Sequence, residues 1–299
     1  MTVEFLDPGV WGIVATPFAG ADLDVDRASL TALVQLYRRA GAAGLTLLGV
    51  FGEASKLDTA ERRAVIETVA EAVDLPLVVG VQALSTKPVI EEVGRLQDIL
   101  GDRLAASMIQ VNSADATTLA RHLNTIHDAT GVGIVLQDYP VTSGVTISRA
   151  AAADAVAAVD AIAGIKAESA PTPAMVSTLS RATKAPVFGG LGGITLIDEL
   201  NAGAAGVMTG FSYPEGLIAC VRAYGEGGFA AARAAIAPYL PLINFEQQPG
   251  IALSIRKHCL AYRGVIAESA IRAPGAAMPP ELVPLLEQQV AILDGLEAA

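Results

Sequence analysis

The feature that most constrains this chain is a repeat of pattern: short apolar segments, each followed by a stretch with helical spacing. The segments are 10–18, 44–52, 76–82, 105–112, 133–140, 163–169, 186–193 and 205–210. They are rich in Val, Ile and Leu and show no clean polar alternation, which marks strands buried on both faces, as parallel strands under a layer of helices are. The intervening stretches carry helix-start residues: Asp26 before 29–40, Asp58 before 60–73, Ser85 before 88–100, Ser113 before 117–129 and Ser148 before 150–159. Eight such units within residues 1–226 predict an α/β fold, a closed (β/α)8 TIM barrel whose catalytic groups lie at the C-terminal ends of the strands. An open doubly wound sheet would need a glycine-rich phosphate turn after an early strand. The run Gly189-Gly190-Leu191-Gly192-Gly193 comes too late and lacks the required spacing.

After Gly227-Gly228 the strand pattern stops, and three helical stretches follow at 229–240, 247–262 and 280–296. Their apolar faces need a partner, so residues 227–299 are expected to form a helical extension packed on the outside of the barrel, with Ala273-Pro274-Gly275 as a hinge. A net charge of −11 argues against nucleic acid or an anionic membrane surface as partner, since both are bound through clustered Lys and Arg. Cys220 and Cys259 are too few and too far apart for a disulfide framework, and three histidines without ligand spacing predict no metal site. The first nine residues lack the basic-then-apolar pattern of a signal, and no run approaches the ~20 apolar residues of a membrane span. The expectation is a whole, mature chain in a reduced cytoplasm.

Of five lysines, Lys56, Lys87, Lys184 and Lys257 are expected in polar turns or on helix faces; Lys166 ends the apolar run Ala163-Gly164-Ile165. Desolvation penalises an ammonium in such a place, and a neutral ε-amine can attack a carbonyl carbon to form a Schiff base. Structural pairing with a carboxylate is the bland alternative. His122 and His127, five apart on a helix, are expected on the solvent side, and His258 with Cys259 as packing residues.

Three motifs in order then resemble one family, the dihydrodipicolinate synthase and N-acetylneuraminate lyase superfamily. Gly12-Ile13-Val14-Ala15-Thr16-Pro17-Phe18 is similar to its opening strand, Gly49-Val50-Phe51-Gly52-Glu53 to its GxxGE turn, and Gly164-Ile165-Lys166 to its lysine strand. The resemblance implies an imine between Lys166 and pyruvate or another 2-oxo acid, no metal or organic cofactor, a small-molecule substrate, and a homo-oligomer, dimer or tetramer. It also implies substrate contacts from Gly49, Val50, Phe51, Gly52, Ser55, Thr16, Ser143 and Gly190. A turn such as Gly49 to Glu53 can aim backbone N–H groups at a carboxylate, as a nest does; its structural alternative is a tight turn that needs glycine. Glu53 itself is expected to cap the following helix.

The departures narrow the function. The usual pair of hydroxyl residues inside the turn is Val50-Phe51 here, Gln137 takes the place of the relay tyrosine on the fifth strand, and Thr142 stands where true synthases carry an arginine for the second substrate. The stretches 137–144, 166–169 and 240–244 resemble the branch containing the L-2-keto-3-deoxyarabonate dehydratases. Strand alternation puts Tyr139 on the face of Gln137 and Glu168 on the face of Lys166, so Lys166, Glu168, Tyr139 and Gln137 are the catalytic candidates. The sequence thus predicts a Schiff-base lyase that dehydrates a 2-keto-3-deoxy sugar acid. An aldolase or a 4-hydroxy-tetrahydrodipicolinate synthase is the enzyme alternative, and a non-catalytic ligand-binding barrel the third.

Overall fold

A computed structural model of the chain describes residues 3–297. Eight parallel strands, β1 (Gly9–Ile13), β2 (Gly44–Leu47), β3 (Leu77–Gly80), β4 (Leu104–Gln110), β5 (Ile134–Asp138), β6 (Ile162–Ala167), β7 (Val187–Gly189) and β8 (Gly206–Thr209), close into a barrel in sequence order. The predicted TIM barrel is therefore the observed fold. Most strands are shorter than the apolar segments that announced them. The segment 44–52, for example, leaves the sheet after Leu47 because its last residues build a loop at the barrel mouth.

Helices α1 (Arg27–Ala40), α2 (Thr59–Ala72), α3 (Thr86–Leu100), α4 (Ala116–Thr130), α5 (Arg149–Ala157), α6 (Thr172–Ala182) and α7 (Leu196–Asn201) connect the strands. Asp26, Asp58 and Ser148 cap as expected, each side chain accepting a backbone N–H of the first turn. Ser85 stands at the start of α3 without a side-chain cap bond. The cap of α4 is Asp115, not Ser113; Ser113 instead accepts the Asp115 amide and fixes the entry of the helix.

Inside the barrel, Trp11 meets Phe188 edge-on with ring centroids 6.4 Å apart, and Val78, Met108, Val135 and Met208 complete that core. Gly44 on β2 must lack a side chain, because a Cβ there would run into the Trp11 ring. A larger cluster lies between strands and helices, each buried Leu, Ile or Val contributing roughly 1.5 to 3 kcal/mol.

The C-terminal region differs in detail from expectation. Helix α8 (Pro214–Ile236) runs through the predicted 226/227 boundary, broken only at Gly228, whose φ is 66°. It is followed by α9 (Leu240–Phe245), α10 (Ala252–Tyr262) and α11 (Val283–Glu297). These helices share an apolar cluster with Val10 of β1, Val207 of β8 and Leu196 of α7. Residues 1–2 and 298–299, the outer ends of the two expected regions, lie outside the described residues.

Two placements are corrected. Lys257, expected on a helix face, has no exposed surface, and His122, expected in solvent, is buried with its Nδ1 2.8 Å from the Thr86 hydroxyl. Both sit on helices whose neighbours cover the side that a single-helix reading leaves open.

Burial in this region has a pH consequence. It pushes the Cys220 thiol up to about 11 from 9.0, and raises Cys259, Tyr37 and Tyr213 as well. Above the ordinary values of these groups the unfolded chain has released protons that the folded chain keeps, so stability falls as pH rises. Cys220 alone contributes a loss of roughly 2 to 3 kcal/mol by about pH 11. Burial acts oppositely on Lys257, lowered to about 8, which adds stability as pH climbs to its ordinary value. With these four groups, and Tyr139 raised in the same sense, against one, urea midpoints are expected to drop steeply above about pH 10. A midpoint unchanged up to pH 11 would contradict the burial of these groups.

Candidate active site

Register sets the site. Lys166 of β6 lies opposite Gln137 of β5 and Phe188 of β7. Ile165 and Ala167 pack outward among the helices, and alternation carries Gly164, Lys166 and Glu168 to the inner face. The face therefore holds past the strand end, and Lys166 Nζ lies 2.9 Å from Glu168 Oε2, both side chains only 6% exposed. Gln137 Nε2 donates to the same carboxylate oxygen at 2.8 Å, and the Leu191 amide approaches Glu168 Oε1 at 3.4 Å. Gly190 makes room for this carboxylate, since a Cβ there would come within 2.5 Å of Glu168 Oε1.

Lys166, Glu168, Gln137 and Tyr139 line one cavity of about 370 Å³ at the C-terminal mouth of the barrel, together with Gly49, Val50, Phe51 and Ser55. The four catalytic candidates are thus brought together. Burial, and next the charge of Glu168, raise the Tyr139 phenol above its ordinary value. Asp138, on the other side of β5, accepts from Ser169 Oγ at 2.8 Å, and burial raises its carboxyl. A second cavity of about 490 Å³ adjoins through Tyr139, Glu168 and Leu191, giving space beyond the amine.

The remaining sequence candidates divide. Thr16 Oγ1 donates to the Gly52 carbonyl at 2.7 Å and so braces the turn from below. Ser143 is engaged in its own turn, accepting the Val145 amide at 3.2 Å. Within the 49–54 turn the amides of Gly52, Glu53 and Ala54 are spent on Gly49 and Val50 carbonyls, leaving those of Gly49, Val50 and Phe51 for a ligand. Leu48, Glu53 and Leu191 have φ of 53°, 54° and 48°, each costing roughly 1 kcal/mol or more, and such strain gathers at binding loops.

Glu53 does not cap a helix. It is 2% exposed, with Lys257 Nζ at 2.6 Å from Oε1, and Lys56 Nζ and the Arg272 amide at 2.8 and 3.1 Å from Oε2. Lys257 and Arg272 both stack on the Phe18 ring, at 4.3 and 4.4 Å from its centroid. The segment expected to hinge at 273–275 is tied to the barrel mouth through this cluster.

Arg256 and Gln247, from the C-terminal extension, also line the cavity. The sequence reading placed their helix outside the barrel and missed them. A faint signal existed: Arg256-Lys257 sits among Ile255, Cys259 and Leu260 in a helix buried on nearly all sides, where two charges need partners. Among the described residues no cluster of three or more His, Cys, Asp or Glu is placed to hold a metal ion. Among them, too, no helix is long and apolar enough to cross a membrane.

A closed parallel barrel with a buried lysine near the end of its sixth strand, paired with a carboxylate at the edge of a cavity at the mouth, defines the class of lysine-bearing (β/α)8 barrels. The model of the dihydrodipicolinate synthetase family matches residues 7–291, and the chain belongs to that family. It is 29% identical over 283 residues to an L-2-keto-3-deoxyarabonate dehydratase of Azospirillum brasilense, covering 91% of this chain and 90% of that protein. A 4-hydroxy-tetrahydrodipicolinate synthase of Methanococcoides burtonii is 27% identical over 242 residues, or 79% and 81% of the two chains. The crystal structure of dihydrodipicolinate synthase from Rhodopseudomonas palustris superposes with a TM-score of 0.87 at 30% identity, covering 97% of this chain and 99% of that one.

Proposed function

We propose that this protein is a lyase that binds a 2-oxo acid as a Schiff base at Lys166 and dehydrates a 2-keto-3-deoxy sugar acid, with no cofactor beyond the substrate imine. The observation that carries the reading is the Lys166–Glu168–Gln137 arrangement, 2.9 and 2.8 Å around one carboxylate oxygen. Glu168 can take a proton from the Lys166 ammonium, freeing the amine to attack the C2 carbonyl; water leaves and an iminium forms. The iminium acidifies C3–H, a base removes that proton, and the electron pair is held as an enamine. Collapse of the enamine expels the C4 hydroxyl as water once an acid has protonated it. Glu168 is within reach of the amine, and Tyr139 lines the same cavity with its proton held by burial; these two are the acid and base of the proposal. Gln137 has no proton to exchange and orients Glu168. The adjoining cavity offers room for the hydroxylated tail of a sugar acid.

The family likeness also supports a homo-oligomer acting on a small molecule, and two free, buried cysteines are in keeping with a reducing cytoplasm. Glu168→Gln is expected to slow turnover at least tenfold, while borohydride trapping of pyruvate is reached more slowly, because the amine has lost its nearest proton acceptor, yet still goes to completion. Loss of both together would reduce Glu168 to a structural partner of Lys166. The wild type incubated with L-2-keto-3-deoxyarabonate should yield a semialdehyde by NMR. Pyruvate plus an aldehyde would replace dehydration by retro-aldol cleavage, and no change with any 3-deoxy-2-oxo acid would favour a non-catalytic barrel.

Condensation of aspartate semialdehyde with pyruvate should be poor. Thr142 is exposed on the single helical turn Pro140–Ser143 and offers no charge to a second carboxylate. A missing charged contact is worth roughly 1.5 to 3 kcal/mol, about ten- to a hundredfold in affinity. Efficient cyclic product in a coupled reductase assay would return the chain to the synthases.

A further inference from the structure

We infer that the carboxylate of the 2-oxo acid is held by Arg256 and Gln247, two residues of the C-terminal extension. This deepens the Schiff-base reading and rests on it for the identity of the ligand. Three observations meet at one place. First, the 49–54 turn has lost its side-chain donors: its hydroxyl pair is replaced by Val50 and Phe51, and of its six amides those of Gly52, Glu53 and Ala54 are spent inside the turn. Second, the Arg256 guanidinium lies over the Phe51 ring, 4.9 Å from its centroid, so it stands directly on the residue that displaced a hydroxyl. Third, both residues carry an unused donor: Arg256 Nη2 and Gln247 Nε2 are buried without a hydrogen-bond partner.

Buried donors left unpaired cost roughly 1 to 3 kcal/mol each, and two that converge suggest an acceptor supplied from outside the chain. They converge above Gly192, where any side chain would overlap both Gln247 Nε2 and Arg256 Nη2. Gly192, Gln247, Arg256 and Lys166 all line the same cavity. Arg256 is 6% exposed and is fixed by Glu246, whose Oε2 takes Nε at 2.8 Å. That bond leaves Nη2 of the planar fork for a ligand, and a guanidinium donor set binds a carboxylate well where a lysine would not. Lys56 also lines the cavity, but its ammonium is held by Glu53 at 2.8 Å. Arg256 is therefore, among the described residues lining the cavity, the cation with an unpaired donor. Glu246 is a positioning residue in this scheme. Phe51, packed against Gly210 so closely that a Cβ there would come within 2.8 Å of its ring, supplies the flat support.

The test compares pyruvate with pyruvamide, which keeps the carbonyl and lacks the charge. Each is titrated calorimetrically into the wild type, Arg256→Met, Arg256→Lys and Gln247→Leu, and borohydride trapping at Lys166 is read by mass spectrometry in parallel. Arg256→Met should weaken pyruvate about ten- to a hundredfold and leave pyruvamide nearly unchanged. Arg256→Lys should recover little, and Gln247→Leu should cost about three- to tenfold. Because Arg256→Met strands Glu246, the double variant Arg256→Met with Glu246→Gln is measured too, with circular dichroism as the folding control; Gln247→Leu breaks no ion pair.

Unchanged pyruvate affinity with trapping intact overturns the inference and leaves the Schiff base standing. So does an equal loss for both ligands, or a loss confined to hydroxylated acids, which would make the pair a hydroxyl site. Absence of trapping in the wild type, with pyruvate binding still dependent on Arg256, would instead overturn the imine and keep the carboxylate site. No pyruvate binding to the wild type would overturn both.

Discussion

Lys166→Arg is expected to abolish borohydride trapping of any 2-oxo acid and to lower turnover about a thousandfold or more, with the fold retained. Arginine keeps the positive charge beside Glu168, where the lysine ammonium sits at 2.9 Å, but a guanidinium is not a nucleophile and cannot form the imine. Removing a covalent step typically costs more than removing any one proton-transfer group, because the electron sink goes with it. Retained activity in the arginine variant would end the mechanism. So would adduct formation at Lys257, another fully buried amine, since that lysine is held by Glu53 and the Ala270 carbonyl at 2.6 and 2.8 Å.

Glu53→Ala is expected to destabilise the protein by about 3 to 5 kcal/mol, the effect of breaking a buried ion pair from one side. The carboxylate is the shared acceptor for Lys257, Lys56 and the Arg272 amide. Without it Lys257 is left with no counter-charge at a position where burial already draws its proton affinity down to about 8. Alanine bears the same left-handed backbone penalty as glutamate at this φ of 54°, so the difference reads the network rather than the turn. Urea unfolding gives the magnitude, and limited proteolysis should cut the 263–279 segment first, because its ties to the barrel mouth run through this cluster. A loss below about 1 kcal/mol would show that solvent or the Arg272–Glu61 pair compensates, and that the network does not hold the extension in place.

How legible all this was from the chain alone depends on distance along it. The eight apolar segments and their intervening helices could be read directly, since strand and helix are written in local periodicity and parallel strands under helices have one economical closure. The inward direction of Lys166, Glu168, Gln137 and Tyr139 was also legible, because alternation is a local rule that held through Glu168. Boundaries were less so. Strand segments such as 44–52 ran past their strands because loop residues at the mouth are as apolar as the strand they continue. The Ser113 and Asp115 helix starts compete within three residues, and only the hydrogen bonds decide between them.

Glu53 illustrates what lay beyond reach. As a residue at the head of a helical turn it reads as a cap, yet its partners Lys257 and Arg272 are 204 and 219 positions away. Arg256 is the same case at the active site: nothing near it in the chain points to Phe51 or to the cavity of Lys166. The chain by itself determined the barrel, the lysine and the face on which it lies, through patterns that repeat every two or 3.6 residues. Only the tertiary structure decided which distant charges meet at the mouth, because burial and pairing of an ion are set by what the rest of the fold brings against it.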